Sequence, residues 1–292
     1  MGLGNAKLKA KNSDRSPAVN CFAFCALIFA LLILHYYILT NMKEARIIMG
    51  MPVTVEIVDP QAVAKDLEAA FSYFKEVDRR FSPYKSDSEV SLINASKISE
   101  EEYSPEMKEV LSLAEKTKKE TGGYFDVYRP DGKLDPSGLV KGWAIRNAAE
   151  ILKKNGWKNF YIEAGGDIQV SGKNAEGERW SVGIRNPFKH DEIVKVVHLE
   201  DGQGMATSGT YVRGAHIYNP LNPAEPLDEI VSLTVIGPDV YEADRFATAA
   251  FAMGKKGIEF IEKHPRLEGY TIDKNGVASY GSGFEKHTEA QN

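Results

Sequence analysis

The chain has 292 residues, of which 43% are hydrophobic and 26% are charged, a composition that is typical of a folded globular protein and not of a disordered one. Its net charge is −5, and because the first twenty residues alone carry +3, the remainder carries −8. Binding to a phosphate backbone requires clustered Lys and Arg, so this acidic remainder argues against a nucleic-acid partner.

A segment with membrane character follows the basic N-terminus, residues 1–20. Between Ser16 and Met42 there is no Asp, Glu, Lys or Arg, and the run from Cys21 to Leu39 is almost wholly apolar. As a helix, this run approaches the hydrocarbon thickness of a bilayer. A cleaved signal peptide is the alternative, but the run exceeds the usual apolar region of about 7 to 15 residues and does not end in small residues. We therefore predict an uncleaved transmembrane anchor over residues 21–40.

The charge distribution around this segment predicts an orientation. Basic residues precede it and an acidic body, residues 42–292, follows it, so the positive-inside rule places the N-terminus in the cytoplasm. We expect a single-pass protein of the inner or cytoplasmic membrane whose body lies outside the cytoplasm, on the periplasmic side. Both cysteines, Cys21 and Cys25, lie in the apolar run. The body therefore has no disulfide framework and no thiolate chemistry.

The body is predicted to be one compact α+β domain with a largely antiparallel sheet core and flanking helices. Period-two alternation predicts a strand over Ile47 to Val58, and a helical pattern then runs from Pro60 to about Phe81. Ser104 and Pro105 are a capping residue and a first-turn proline, so they predict a second helix that stops before Gly122. A third helix is predicted from Gly138 to Asn155.

The middle of the body is rich in predicted strands between turn residues. These strands cover residues 160–164, 168–171, 180–185, 194–199, 205–212 and 232–236. Asp239, with Glu242 three residues later, predicts the start of a helix that continues through Met253. A shorter helix and a hairpin over residues 270–272 and 277–280 complete the predicted domain.

Asp244 and Thr248 lie four residues apart on the helix that begins at Asp239, so their side chains project from one face. On a buried face an ionised carboxylate needs a partner, and two side-chain oxygens plus a backbone carbonyl suit Mg²⁺. The simpler alternative is a surface helix on which Asp244 is solvated or paired to a lysine. The spacing by itself favours this simpler alternative.

Two further segments have both a structural and a functional interpretation. The stretch Asp135 to Gly142 precedes a helix, so its free N–H groups and Lys141 could receive a phosphate, or the segment could be a plain helix start with a solvated lysine. Glu163 to Asp167 is best explained as a tight turn, with contact to a ligand as the second interpretation. His216 follows a predicted strand and could act as a general base, although a lone histidine is usually structural.

Short motifs follow one another along the body from Met49 to the C-terminal hairpin. They are Met49-Gly50; Arg80-Phe81-Ser82-Pro83-Tyr84 with Ser88-Glu89-Val90-Ser91 and Asn94; Gly123-Tyr124-Phe125-Asp126-Val127; Gly138-Leu139-Val140-Lys141-Gly142-Trp143-Ala144; Gly165-Gly166-Asp167-Ile168; Thr207-Ser208-Gly209; His216-Ile217 with Pro220; Ser232-Leu233-Thr234-Val235; and Ala243-Asp244 with Ala247-Thr248-Ala249. In this order they resemble the FAD:protein FMN transferase family, the ApbE-type flavin transferases. No single motif is specific, but the ordered series is.

The resemblance implies an ApbE-like fold and a reaction. FAD is bound, Mg²⁺ bridges its diphosphate, and the hydroxyl of a threonine in an acceptor protein attacks the FMN phosphorus and expels AMP. By family position the metal ligands are the side chains of Asp244 and Thr248 and the carbonyl of Val140, and the catalytic residues are Asp244 and the candidate base His216. The FAD pocket is lined by Met49, Tyr84, Tyr124, Phe125, Asp126 and Lys141. The expected acceptor is a subunit of a membrane redox complex that carries a threonine-containing flavinylation motif.

The sequence departs from the family pattern at three places. Met51 stands where threonine is common, Val140 where alanine is usual, and residues 219–223 replace an Asp-Pro-Arg-Thr-Gly-like turn. These differences leave the metal ligands in place and change the loop that follows His216. Two other functions share the same motifs: an Mg²⁺-dependent hydrolase that splits FAD into FMN and AMP, and a non-catalytic flavin-binding protein at the membrane.

Overall fold

The computed structural model describes Leu27, residues 42–210 and residues 217–288, leaving aside the side chain of His190. The chain divides after Thr40, and the unit from Asn41 to Asn292 is the one described here. None of the helices in the described ranges is long and apolar enough to cross a membrane. The predicted anchor over residues 21–40 lies outside these ranges except for Leu27, and His216 lies outside them as well.

An eight-stranded sheet forms the centre of the domain, and every pair of neighbouring strands in it is antiparallel. Its strands are β1 (Met42–Ile48), β2 (Met51–Ile57), β3 (Phe160–Ala164), β4 (Asp167–Ser171), β7 (Gly204–Gly209), β8 (Ile230–Gly237), β9 (Glu268–Asp273) and β10 (Ala278–Tyr280), in that spatial order. The hairpin of β5 (Trp180–Asn186) and β6 (Lys189–Leu199) forms a separate two-stranded sheet. The predicted antiparallel core is therefore confirmed.

The helices enter as two insertions into this meander. Between β2 and β3 lie α1 (Glu68–Phe81), α2 (Glu89–Asn94), α3 (Pro105–Glu120) and α4 (Ser137–Lys154), and between β8 and β9 lie α5 (Val240–Ala252) and α6 (Gly257–Glu262). Short 3₁₀ turns cover Ala64–Leu67, Glu100–Glu102, Gly254–Lys256 and Phe284–His287. Both long insertions lie on one face of the sheet, so α4 and α5 come into contact.

The period-two alternation of the strands divides the core between the two faces of the sheet. On β3, Phe160 and Ile162 point to the helices and pack with Phe71 and Trp143, whereas Tyr161 points to the opposite face. The opposite face is covered by the β5–β6 hairpin through buried residues that include Trp180, Val182 and Leu199, and by Phe284 of the C-terminal 3₁₀ turn. A third cluster packs α5 and α6 against β8. The sheet is thus covered on both faces, with the helices on one of them.

The capped helices begin where their sequences predict. The hydroxyl of Ser104 accepts a hydrogen bond of 3.1 Å from the N–H of Met107, and the carboxylate of Asp239 accepts one of 2.9 Å from the N–H of Glu242. Each side chain satisfies an N–H group that has no partner within the helix. Helix α4 also begins within a residue of its predicted start. Local hydrogen bonding decides these boundaries, so they are readable from the sequence.

The N-terminal part of the domain differs from its prediction. The single strand predicted over Ile47 to Val58 is wrong, because Met49 and Gly50 form a two-residue turn between β1 and β2. Both residues have positive φ, +56° and +71°, which is the conformation of a type I′ hairpin turn. The helix predicted from Pro60 begins only at Glu68, after a 3₁₀ turn, and the short helix α2 was not predicted. Ser88 caps α2 by accepting from the N–H of Ser91.

Candidate functional site

Several motifs meet at one end of the strands of the sheet, where the chain turns from one antiparallel strand to the next. The β1–β2 turn lies beside the β3–β4 turn, where the N–H of Gly165 donates to the carbonyl of Pro52 at 3.1 Å. Asp167 begins β4 directly after this second turn, and its Oδ1 accepts a hydrogen bond of 3.2 Å from the N–H of Thr207 on β7. The sequence-distant motifs around residues 49, 165 and 207 are therefore brought together.

Two glycines let α4 and α5 approach closely at this end of the strands. A Cβ atom on Gly142 would lie 2.7 Å from Cβ of Asp244 and 2.9 Å from the carbonyl oxygen of Val240, distances that ordinary side chains do not reach. One turn earlier, a Cβ on Gly138 would lie 3.3 Å from Cγ2 of Thr248. The Gly138–Gly142 pair on α4 thus faces the Asp244–Thr248 pair on α5. This contact explains why glycine stands at both positions of the motif.

Asp244 is buried and paired, so the alternative of a solvated carboxylate is wrong. The residue is 3% exposed, and its Oδ2 accepts a hydrogen bond of 2.8 Å from the backbone N–H of Gly142. Its other oxygen, Oδ1, lies 3.7 Å from Nζ of Lys141. The lysine partner considered from the sequence is therefore present, but at a distance longer than a direct hydrogen bond.

Lys141 lies between two buried carboxylates. Its Nζ is 2.7 Å from Oδ2 of Asp167, whose side chain is fully buried, and 3.7 Å from Oδ1 of Asp244. One ammonium thus faces two carboxylates, and the cluster carries a net charge of −1 when both are ionised. Burial is the main cause that raises the pKa of Asp244 to about 7; Lys141 opposes this rise and Asp167 adds to it. A further cation would relieve this imbalance.

Thr248 completes the oxygen atoms of the cluster. Its hydroxyl donates to the carbonyl of Gly138 at 3.4 Å, which brings a backbone carbonyl of the first turn of α4 next to the threonine. Val140, two residues later on the same turn, is buried. Among the described residues there is no group of three or more His, Cys, Asp or Glu side chains arranged for a metal. Carboxylate, hydroxyl and carbonyl oxygens with an excess negative charge nevertheless fit a hard divalent cation such as Mg²⁺.

The stretch from Gly123 to Asp126 reaches this cluster through one side chain. Phe125 is buried, and its Cε2 would lie 3.5 Å from a Cβ on Gly138, next to Thr248. Tyr124 packs partly buried against the helix-side core. Asp126 is held by an ion pair of 2.6 Å with Lys118 and accepts from the N–H of Tyr128. Phe125 therefore packs next to the Asp244 cluster, whereas Asp126 is held by Lys118 and Tyr128.

The other two residues assigned to the flavin pocket differ in their surroundings. Met49 lies in the β1–β2 turn, at the same end of the strands, and is partly buried against the core. The ring of Tyr84 is 94% exposed, so within the described residues it is not packed against the cluster. His216 lies outside the described residues, and its role as a base stays a prediction. Of the predicted site residues, Asp244, Thr248, Lys141 and Phe125 are the ones that the packing of α4 on α5 brings together, whereas the carbonyl of Val140 stays a predicted ligand.

Two site residues were not singled out from the sequence. Asp167 was placed in a tight turn, yet it begins a strand of which all five residues are buried. An acidic residue directly after Gly165-Gly166 and at the start of such a strand is the signal that could have identified it. Arg245, which follows Asp244, is the second of these residues.

Arg245 links the site helix to the preceding insertion. Its side chain is 3% exposed, it forms an ion pair of 2.6 Å with Glu242, and it forms a second ion pair with Glu120 at the end of α3. The guanidinium also lies 4.0 Å from the ring centre of Phe246. Because the Gly123 motif begins three residues after Glu120, this link fixes the stretch that contains Phe125 relative to α5.

The fold and this oxygen-rich cluster define a class of α+β proteins with a central antiparallel sheet, helices on one face of it, and a buried acidic site where two of these helices meet the sheet. The ApbE family model matches residues 49–130 and 127–271, most of the chain, so the chain belongs to the ApbE family. The resemblance inferred from the ordered motifs is thereby confirmed.

The chain is similar to curated FAD:protein FMN transferases. It is 33% identical to the protein of Haemophilus influenzae over 175 residues, which are 56% of this chain and 50% of that protein. It is 29% identical to the protein of Escherichia coli K12 over 161 residues, which are 52% of this chain and 46% of that protein. The chain thus spans about half the length of the curated relatives it matches.

Two solved structures share the fold. The flavin transferase ApbE from Vibrio cholerae has a TM-score of 0.74 at 23% identity, covering 85% of this chain and 99% of that one. The ApbE protein from Thermotoga maritima has a TM-score of 0.75 at 21% identity, with the same coverage of 85% and 99%. These likenesses confirm the expected ApbE-like α+β fold with an antiparallel sheet and flanking helices.

Proposed function

We propose that this protein transfers FMN from FAD to a threonine hydroxyl of an acceptor protein, forming a phosphoester-linked flavin and releasing AMP. The observation that carries the proposal is the buried Asp244–Lys141–Asp167 cluster at the contact of α4 with α5, in a chain of the ApbE family. The curated relatives are named FAD:protein FMN transferases, which supports the transfer of FMN from FAD to a protein. The site supplies the charges and oxygen atoms that a diphosphate substrate with a divalent cation requires.

The residues of the cluster have separate roles in this proposal. Asp244 and Thr248, together with the carbonyl of Val140, would hold Mg²⁺, which neutralises charge on the diphosphate and on the leaving AMP. Lys141 places its ammonium next to the same position. Phe125 shapes the apolar side of the site, where it packs against the first turn of α4. Met49, Tyr84, Tyr124 and Asp126 are proposed to complete the FAD pocket.

The chemical step needs a proton acceptor for the attacking threonine hydroxyl. A bond forms between that oxygen and the FMN phosphorus while the bond to the AMP oxygen breaks. His216 is our candidate for the base, since an imidazole accepts a proton near neutral pH. A water molecule in place of the threonine would give FMN and AMP by the same bond changes. The acceptor assay below separates these outcomes.

The test uses the purified full-length chain with FAD, Mg²⁺ and an exported acceptor domain that carries a threonine-containing flavinylation motif. We expect the mass of the acceptor to increase by one FMN group and AMP to appear. Asp244→Ala should abolish the increase. Asp59→Asn is the matched control, because Asp59 is also buried but accepts hydrogen bonds from the N–H groups of Lys158 and Asn159, beside the other ends of β2 and β3.

The outcomes distinguish the proposed function from its two alternatives. Free FMN and AMP without a labelled acceptor would indicate a hydrolase. Bound FAD without any cleavage would indicate a flavin-binding protein. Cleavage that persists unchanged in Asp244→Ala would contradict the role that we give to this residue.

We also propose that the protein acts at the inner or cytoplasmic membrane, with the body outside the cytoplasm. The support is the apolar, uncharged run from Cys21 to Leu39 and the basic residues before it. The acceptor would then be a membrane redox-complex subunit exposed on the same side. Protease added to spheroplasts should digest the body while leaving a cytoplasmic marker intact; protection of the body would contradict this orientation.

A further inference from the structure

The cluster contains a carboxylate, Asp167, that has been assigned neither to the metal nor to the flavin. We propose that Asp167 is a positioning residue that holds the Lys141 ammonium and thereby keeps Oδ1 of Asp244 open to a divalent cation. This inference rests on the proposed function, because it concerns the affinity of the same site for its metal. It assigns to Asp167 an effect that is exerted through Lys141 and not through contact with the metal.

Lys141 pairs directly with Asp167 but not with Asp244. Lys141 Nζ is 2.7 Å from Asp167, a direct ion pair, and 3.7 Å from Oδ1 of Asp244, which is beyond hydrogen-bond distance. The other oxygen of Asp244 is occupied by the N–H of Gly142. Oδ1 is therefore the oxygen of Asp244 that can take a cation, and Lys141 is the neighbouring positive charge that could compete for it.

Asp167 is held in place by the sheet. Its side chain is fully buried, and its Oδ1 accepts from the N–H of Thr207 on the neighbouring strand. The hydroxyl of Thr207 is in turn hydrogen-bonded to that of Thr234 at 2.8 Å, which ties β7 to β8. Asp167 is thus fixed by the sheet, whereas Lys141 reaches the two carboxylates with a long, flexible side chain.

Removal of the Asp167 charge would change how Lys141 is paired. Among the described residues, Asp244 is then the buried carboxylate next to the Lys141 ammonium, and a movement of about 1 Å would bring Nζ into direct contact with its Oδ1. The side chain of Lys141 is only 16% exposed and Asp244 is buried, so pairing the ammonium with the remaining carboxylate avoids leaving either charge unpaired away from water. Lys141 would then occupy the position of the cation. Removing Lys141 as well should make Oδ1 available again.

The experiment measures Mn²⁺ binding to the full-length chain by electron paramagnetic resonance, without FAD. Asp167→Asn has nearly the same shape and should bind Mn²⁺ about 10 to 100-fold more weakly, as is usual when a residue supporting a metal ligand is changed. In the double variant K141M/D167N we expect the affinity to return to within about threefold of the original chain. Asp59→Asn should leave it unchanged. Thermal unfolding followed by circular dichroism establishes that each variant is folded.

Three results would overturn the inference in different ways. Equal Mn²⁺ affinity of Asp167→Asn and the original chain would show that Asp167 does not influence the site. Weak binding that persists in K141M/D167N would show that Asp167 is itself a ligand or only a structural residue. Absence of Mn²⁺ binding in the original chain would overturn the proposed metal site and this inference with it. Rescue by the second substitution is the result that a merely structural role cannot give.

Discussion

The backbone N–H of Gly142 donates a 2.8 Å hydrogen bond to Oδ2 of Asp244, joining two helices across 102 residues of sequence. The same glycine provides the space for this bond, because a Cβ in its place would lie 2.7 Å from Cβ of Asp244. The hydrogen bond orients the carboxylate so that Oδ1 faces Lys141. The geometry of the cluster therefore depends on a residue that has no side chain.

Gly142→Ala should destabilise the protein and weaken cation binding. The added methyl group overpacks the α4–α5 contact, which costs about 1 to 3 kcal/mol of the free energy of unfolding, and it displaces Asp244. Urea unfolding and Mn²⁺ titration measure the two effects.

Gly138→Ala, one turn earlier, is the control for that substitution. Its methyl group would lie 3.3 Å from Cγ2 of Thr248, and the gain in helix propensity offsets this tighter contact. We expect a change in unfolding free energy below about 1 kcal/mol. Equal effects of the two substitutions would contradict the close approach described at Gly142.

Asp244→Asn should stabilise the metal-free protein while abolishing flavin transfer. The pKa of Asp244 is raised by burial from 3.8 to about 7, so between these pH values the folded state binds more protons than the unfolded state. Stability from this group is complete at low pH and is lost as the pH rises towards 7, by at most about 1.4 kcal/mol per pH unit. Asparagine does not ionise, so the variant does not lose this stability as the pH rises.

The prediction for Asp244→Asn is checked by measuring, at several pH values, the difference in unfolding free energy between the variant and the original chain. In urea unfolding with a chelator, the stability of the variant relative to the original chain should increase from pH 5 to pH 7 and then level off. A difference that is constant over this range would show that Asp244 does not titrate as its burial predicts.

Arg245→Met should lower the free energy of unfolding by about 3 kcal/mol, because it leaves Glu242 and Glu120 without their buried partner. Lys274→Met is the control, since its pair with Asp228 is exposed and should contribute less than about 1 kcal/mol. Urea unfolding of both variants gives the comparison. Similar losses would mean that the buried Arg245 link does not hold α3 to α5.

Met49→Gly should raise stability and lower the affinity for FAD. Met49 has a φ of +56°, which costs a side-chain-bearing residue about 1 kcal/mol, and glycine removes this strain. Ser96→Gly relieves a similar φ of +52° at an exposed position away from the cluster. Both variants should unfold at higher urea concentration, but only Met49→Gly should change FAD binding measured by fluorescence. If FAD binds equally to both, Met49 does not line the pocket.

Some boundaries were readable from the sequence because the groups that fix them are neighbours in the chain. Ser104 and Asp239 cap helices through N–H groups three residues away, and both helices begin where predicted. The β1–β2 turn was missed because Met49 is not a residue typical of a positive φ, although Gly50 beside it is. Helix α2 is six residues long, too short for a helical period to be recognised.

The candidate site was predictable only in part for a related reason. Asp244 and Thr248 were identified by their order among the motifs, whereas their spacing by itself favoured a solvated helix face. Asp167 was not identified, because the turn around Gly165-Gly166 explains its position without any ligand. Its partner Lys141 lies on a different element, and only the packing of α4 over the sheet brings the two charges to 2.7 Å.

The sequence by itself determined the family resemblance, the antiparallel α+β class and the helices whose caps are local. Tertiary structure decided that Asp244 is buried, that it shares Lys141 with Asp167, and that two glycines admit α5 against α4. The physical reason is how far apart in the sequence the interacting groups lie. Capping and turn formation involve groups a few residues apart, whereas desolvation and charge sharing depend on chain segments that meet only after folding.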